Sequence, residues 1–193
     1  MLKLSVRQQF AIGIALVALM VVTRGYHVPT LKNLLPGASW AVFFLAGLYL
    51  RPAWVLAGLL GLAALLDFAA VNWQGVSDFC VSPAYIALIP AYGALWFGGR
   101  LFANRYYSVK PVALLWLGAS VLLSTIVCEL ISSGAFYFFS GRFAETTFVE
   151  FAGRLAKYFP SSLISMAFWV GIAALIHGAV VTVRGSAVKP TQI

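Results

Sequence analysis

The sequence predicts an all-α integral membrane protein of six transmembrane helices with both termini in the cytoplasm. Three observations carry that prediction. Of the 193 residues, 62% are hydrophobic and only 9% are charged, against about 25% charged in soluble domains. The apolar residues fall in long runs, and roughly 20 such residues cross the ~30 Å hydrocarbon core of a bilayer. Thirteen Lys and Arg residues, which set a net charge of +8, are shared unequally between the two ends of those runs. A soluble fold of this length cannot hide so much apolar surface in one core; lipid takes its place. The chain reads as a single transmembrane domain over residues 1–193, without an internal repeat, low-complexity segment or dividing linker.

The first predicted span is Phe10 to Val22, widened by flanking residues. Lys3 and Arg7 before it resemble the start of a signal peptide. Thr23, Arg24, Gly25 and Tyr26 follow, with no small-x-small cleavage site, so the segment reads as a retained helix. The second span, Gly37 to Leu50, is short and bounded by Pro36 and Arg51-Pro52. The third, Ala53 to Val71, follows so closely that the two are expected to form a tight antiparallel hairpin. The fourth runs from Pro83 to Phe102, the fifth from Pro111 to Phe138 and the sixth from Phe159 to Val183.

Orientation follows from the excess of Lys and Arg in cytoplasmic connections. With the N-terminus inside, that side receives Lys3, Arg7, Arg51, Arg100, Arg105, Lys110, Arg184 and Lys189, eight in all. The outer side receives five: Arg24, Lys32, Arg142, Arg154 and Lys157. The positive charge is thus a topology signal and a fit to anionic lipid. No basic segment is interleaved with aromatics in an aqueous loop large enough to bind nucleic acid.

The same orientation places the rare polar residues by depth. Asp67 falls in the outer third of the third span, and Cys128 and Glu129 in the outer half of the fifth. The connection from Asn72 to Ser82 carries Trp73, Gln74, Ser77, Asp78, Phe79 and Cys80, and Tyr85 opens the fourth span beside it. The first outer loop adds Arg24, Tyr26 and His27. Each has two readings. Asp67 either pairs with Arg24 or meets a ligand, since intramembrane carboxylates are costly and are usually functional. Glu129 bonds a neighbouring Ser or Tyr, or contacts a ligand. His27 is either a solvated loop residue or part of a site, and His177 faces a headgroup or a helix neighbour.

Cys80 stands on the predicted oxidising side, where exposed thiols are normally oxidised or paired. Its only partner would be Cys128, and two cysteines make a weak disulfide signature. The other reading is a thiol that meets a ligand as nucleophile or metal donor. No second Cys or close His spacing supports a zinc site. One soft thiolate suits a metal already enclosed by a larger ligand.

The run Trp73-Gln74-Gly75-Val76-Ser77-Asp78-Phe79-Cys80, followed by Ser82-Pro83-Ala84-Tyr85, in a basic six-span chain of this size resembles the BtuM family. These are small cobalamin (vitamin B12) uptake proteins of Gram-negative inner membranes, related to the S-components of ECF-type vitamin transporters. The similarity covers essentially the whole chain and is most specific from Asp67 to Tyr85. It implies an S-component-like bundle in a bacterial inner membrane, with cobalamin as the transported substrate. It also implies that Cys80 ligates the corrinoid cobalt from its lower face and can assist removal of cyanide from cyanocobalamin. Tyr26, His27, Asp67, Trp73, Ser77, Phe79 and Tyr85 are then the expected binding surface. A wide disc fringed with amides needs such a mixture of aromatic and hydrogen-bonding groups.

The resemblance gives a meaning to Ala11, Ala15 and Ala18, which form a small-residue face on the first span. Small residues four apart let membrane helices approach closely; in S-components such a face docks the coupling subunit of an ECF module. Generic packing is the competing reading. The chain holds no GxxxxGK[ST] phosphate loop of its own. Two other functions stay open: an S-component for another vitamin, such as a flavin or thiamine, and an integral-membrane thiol enzyme using Cys80. The enzyme would need a positioned base, and His27 alone is on the correct side.

Overall fold

Long apolar runs with few breakers have one stable form in lipid, because a helix satisfies its own backbone and an open strand does not. The computed structural model describes residues 4–24, 35–73, 82–108 and 110–187, with the backbone alone for 184–187; these are helical almost throughout, with no strand among them. In chain order the helices are α1 (Val6–Arg24), α2 (Ser39–Tyr49), α3 (Trp54–Trp73), α4 (Leu88–Leu101), α5 (Val112–Phe139) and α6 (Phe148–Ala187). A 3-10 turn, Pro83–Ala87, leads into α4, and a π-helical turn, Phe102–Tyr106, leads out of it. Among the described residues, five segments are long and apolar enough to cross a membrane: Val6–Arg24, Trp54–Trp73, Pro83–Tyr106, Val112–Phe139 and Phe148–Val183.

The expected second span is present as a helix of only 11 residues, about 16 Å long at 1.5 Å per residue. Its end is local: Arg51 precedes Pro52, which disfavours helical backbone there, and Leu50 is already extended. This short helix is the centre of the molecule. All eight residues from Ala41 to Leu48 are buried. The expected hairpin with α3 is the lesser of its contacts, since α2 packs chiefly on α4. Glycine makes that packing possible. A Cβ on Gly47 would lie 1.9 Å from the carbonyl oxygen of Trp96, and one on Gly99 would lie 2.0 Å from that of Phe44.

The sixth span differs from expectation in a way that bears on the site. Helix α6 does not begin at Phe159 but at Phe148, and it continues through Pro160 despite the lost amide donor. Arg154 and Lys157, expected in a connection, are therefore on a helix. Helix α1 is peripheral, with only Leu16 and Met20 buried. Ala11, Ala15 and Ala18 all lie on its exposed surface, so the small face is not spent on packing within the described chain.

Side-chain contacts define two ends. At the polar end α1 and α3 finish and the turn into α4 begins, tied by Arg24, Asp67 and Tyr85. At the basic end the Arg51 amide donates to Gln9 Oε1 at 3.0 Å. Arg100 donates there to the carbonyls of Leu50 and Arg51 at 2.6 and 3.0 Å, capping α2 with positive charge where the helix dipole is negative.

Candidate functional site

A cleft of ≈600 Å³ opens at the polar end. Its wall is assembled from several separate parts of the chain. Helix α1 contributes its last residue, Arg24, and α3 contributes Asp67 from its last two turns. The guanidinium and carboxylate form a two-pronged pair: Arg24 Nε donates to Asp67 Oδ1 at 2.9 Å, and Nη2 donates to Oδ2 at 2.8 Å. Parallel bonds of this kind fix geometry as well as adding strength. Tyr85, on the turn before α4, donates its hydroxyl to Asp67 Oδ2 at 2.7 Å. Arg24 Nη1 donates to the Tyr92 hydroxyl at 3.0 Å, and Tyr92 stacks on Phe43 of the central helix at 4.4 Å. Of the two readings of Asp67, the pairing with Arg24 is therefore present, and the paired group also lines the cleft.

The opposite wall comes from α5, α6 and the connection between them. Ser132 and Ser133 lie on α5, their hydroxyls donating to the Cys128 carbonyl at 2.8 Å and to Glu129 Oε1 at 2.5 Å. A hydroxyl that has donated its proton still accepts, so both remain usable by a ligand. Glu129 is buried one turn deeper, bonded to Ser133 as one of its two readings anticipates, while its Oε2 has no partner among the described residues. Phe136, Tyr137, Phe143, Phe151 and Tyr158 give the cleft an aromatic lining. Arg154 stands over the rings of Phe143 and Tyr137, at 4.4 and 5.2 Å from their centroids. It pairs with Glu150 at 3.1 Å, and Glu150 also accepts from the Tyr137 hydroxyl at 2.9 Å. A cation over aromatic faces is attracted by their negative centres.

Of the residues expected at the site, Asp67 and Tyr85 are brought together. Trp73 ends α3 as a residue 79% exposed, its ring edge-on to Phe68 and outside the cleft wall. Tyr26, His27, Ser77, Phe79 and Cys80 lie outside the described residues. The connection that carries Cys80 nevertheless leaves α3 at Trp73 and returns at Ser82, both at the polar end. Cys128 is fully buried in α5. His177 meets helix neighbours: its Nε2 is 3.0 Å from the Tyr107 hydroxyl, and Tyr49 packs beside the ring.

Arg154, Glu150, Tyr137, Ser132 and Ser133 were not singled out as site residues by the sequence. One signal for the first two is there, since an acid four residues before a base on one helix face is a favourable pair. Three further cavities have mainly apolar walls: two flank α1, and one, with a polar rim, opens between α2, α5 and α6. No group of three or more His, Cys, Asp or Glu able to hold a metal occurs among the described residues. No protein-family model matches the sequence, and no curated protein matches it.

Proposed function

We propose that this protein takes up cobalamin across a bacterial inner membrane, with the polar end facing the periplasm and Cys80 as the axial ligand of cobalt. In this reading the chain crosses six times with both termini inside, α2 being the short central crossing. Its ends need no lipid contact because the other helices cover it. Asp67 and Tyr85 shape the pocket, together with Tyr26, His27, Ser77 and Phe79, while Trp73 stands exposed beside it. Cys80 ligation assists the loss of cyanide from cyanocobalamin. The exposed Ala11, Ala15 and Ala18 face is left for an ECF coupling subunit.

The observation that carries the reading is the cleft. It unites Asp67 and Tyr85, the two flanks of the Cys80 segment, with an aromatic wall and a set of hydroxyl and guanidinium groups. Aromatic planes suit the faces of a corrin ring, and scattered donors and acceptors suit its amides. Sulfur is the soft donor of the set, and it binds metal in its deprotonated form.

Absorbance spectra of the purified protein mixed with cyanocobalamin test the proposal. Wild type and Cys128→Ser should show a thiolate–cobalt spectrum and release cyanide. Cys80→Ser should do neither, while retaining some corrinoid through the ring faces and amides. An unaltered spectrum in Cys80→Ser, or loss of ligation in Cys128→Ser instead, would assign the chemistry to another sulfur. Tight retention of a flavin or thiamine, with none of cobalamin, would keep the transporter and replace its cargo. Alkaline phosphatase fused after Ser82 should be active, and after Lys189 inactive; the reverse pattern overturns the orientation.

A further inference from the structure

At the basic end a second cavity, of ≈380 Å³, lies between the last turn of α2, the π-helical turn after α4, the start of α5 and the late turns of α6. Leu48, Phe102, Leu117, Val170 and Ala173 make its walls apolar. Leu114 on its edge is 65% exposed, so the cavity opens sideways, toward the surface that faces lipid. Its rim is polar. Tyr107 and His177 hydrogen-bond each other there, and Lys110 stands at the mouth.

The charge around this cavity is one-sided. Asp67, Glu129, Glu145 and Glu150 all belong to the outer parts of their helices or to the connections at the polar end. No acidic residue among the described ones lies at the basic end, which holds Arg7, Arg51, Arg100, Arg105 and Lys110. Lys110 has no carboxylate partner among the described residues. Helix α5, starting beside it, has no acidic residue in its first turn, the place where a negative group would best oppose the helix dipole.

From this we infer that the cavity holds one anionic glycerophospholipid of the adjoining leaflet, an acyl chain against Leu117, Val170 and Ala173 and the phosphate at Lys110. An apolar slot, a lateral opening and an unneutralised cation match the two parts of that molecule and no simpler one. A free phosphate has no use for the walls. A partner helix, about 10 Å across with its side chains, is too wide for the space. Basic pockets between membrane helices bind anionic headgroups by the same combination. The inference does not depend on what the polar end binds.

Competition between phosphatidylglycerol and phosphatidylcholine for the delipidated full-length protein, read by native mass spectrometry, tests it. The tightest-bound lipid should be phosphatidylglycerol, one per chain, with a preference of about fivefold from one basic residue near the headgroup. Lys110→Gln should bring the preference to near parity. Lys157→Gln, at the opposite end, should leave it intact. Gly178→Leu should reduce retention of both lipids, because Gly178 lines the cavity and a Cβ there meets no atom within 4 Å. Equal retention of the two lipids by wild type would overturn the inference. So would an equal loss of preference in Lys157→Gln, or undiminished retention in Gly178→Leu.

Discussion

Arg24, Asp67, Tyr85 and Tyr92 tie α1, α3 and α4 together at the polar end. At the basic end α1 stands off α3 and α6 across apolar grooves of ≈750 and ≈640 Å³. The contrast follows from the solvent. In lipid no hydrophobic force draws one helix to another, so association rests on close packing and on polar contacts. Where a charged group must be buried, its partner pins two elements at fixed geometry. Where only Leu, Val and Ala face each other, lipid is as good a neighbour as another helix, and gaps survive. A ligand cleft needs walls that hold their positions, and the tied end has them; the loose end offers grooves that lipid or a partner helix can fill.

The contrast can be broken most severely at Arg24. Its side chain is 10% exposed and that of Asp67 is 27% exposed, and removing one member of a buried pair leaves the other charge uncompensated. Arg24→Ala should cost about 3 kcal/mol, the lower end of the range for fully buried pairs, since Asp67 keeps some access to water. Unfolding in a graded mixture of mild and denaturing detergents measures it. The double variant Arg24→Ala, Asp67→Ala should recover much of the loss. A single variant as stable as wild type would mean that the polar end is not held by this pair.

A smaller effect distinguishes the tightly packed centre from the loose periphery, using one residue type. Gly47→Ala would force its Cβ against the Trp96 backbone, and overpacking of this kind costs about 1–3 kcal/mol. Gly58→Ala, in the α1–α3 groove where a Cβ meets nothing within 4 Å, should stay within about 1 kcal/mol of wild type, on the stabilising side. The same unfolding assay reads both. Equal losses would show that the groove beside α1 is closed by something other than lipid.

Much of this was legible in the residues, and the exceptions have physical causes. Asp67 stood out because a carboxylate inside an apolar run must find a partner, with Arg24 the cation at the right depth, and Tyr85 because it opens the fourth span beside the Cys80 connection. Glu129 and Ser133, four apart on one helix, were readable as neighbours by the same helical spacing. Arg154 fell in a connection because the apolar run of the sixth span starts at Phe159, whereas α6 runs from Phe148 through Pro160. Tyr92 and Tyr137 were hidden because an aromatic in an apolar run looks like any lipid-facing anchor until its hydroxyl has a partner.

The small-residue pattern shows the same division. Ala11, Ala15 and Ala18 are conspicuous in the chain yet exposed, Ala11 and Ala15 along the α1–α6 groove, while Gly47 and Gly99, unremarked in sequence, carry the closest helix approach.

By itself, then, the sequence determined the helical class, the approximate spans, the placing of Asp67 and Glu129 toward one end and the excess of basic groups at the other. Those properties follow from composition and from period along the chain, which lipid and the backbone read one segment at a time. Only the tertiary structure decided that an 11-residue helix sits at the centre, that Asp67 is held by Arg24 and Tyr85 together, and that α5 and α6 supply half the cleft. Those are choices among helix faces, and a face is chosen only when another helix arrives to pack on it.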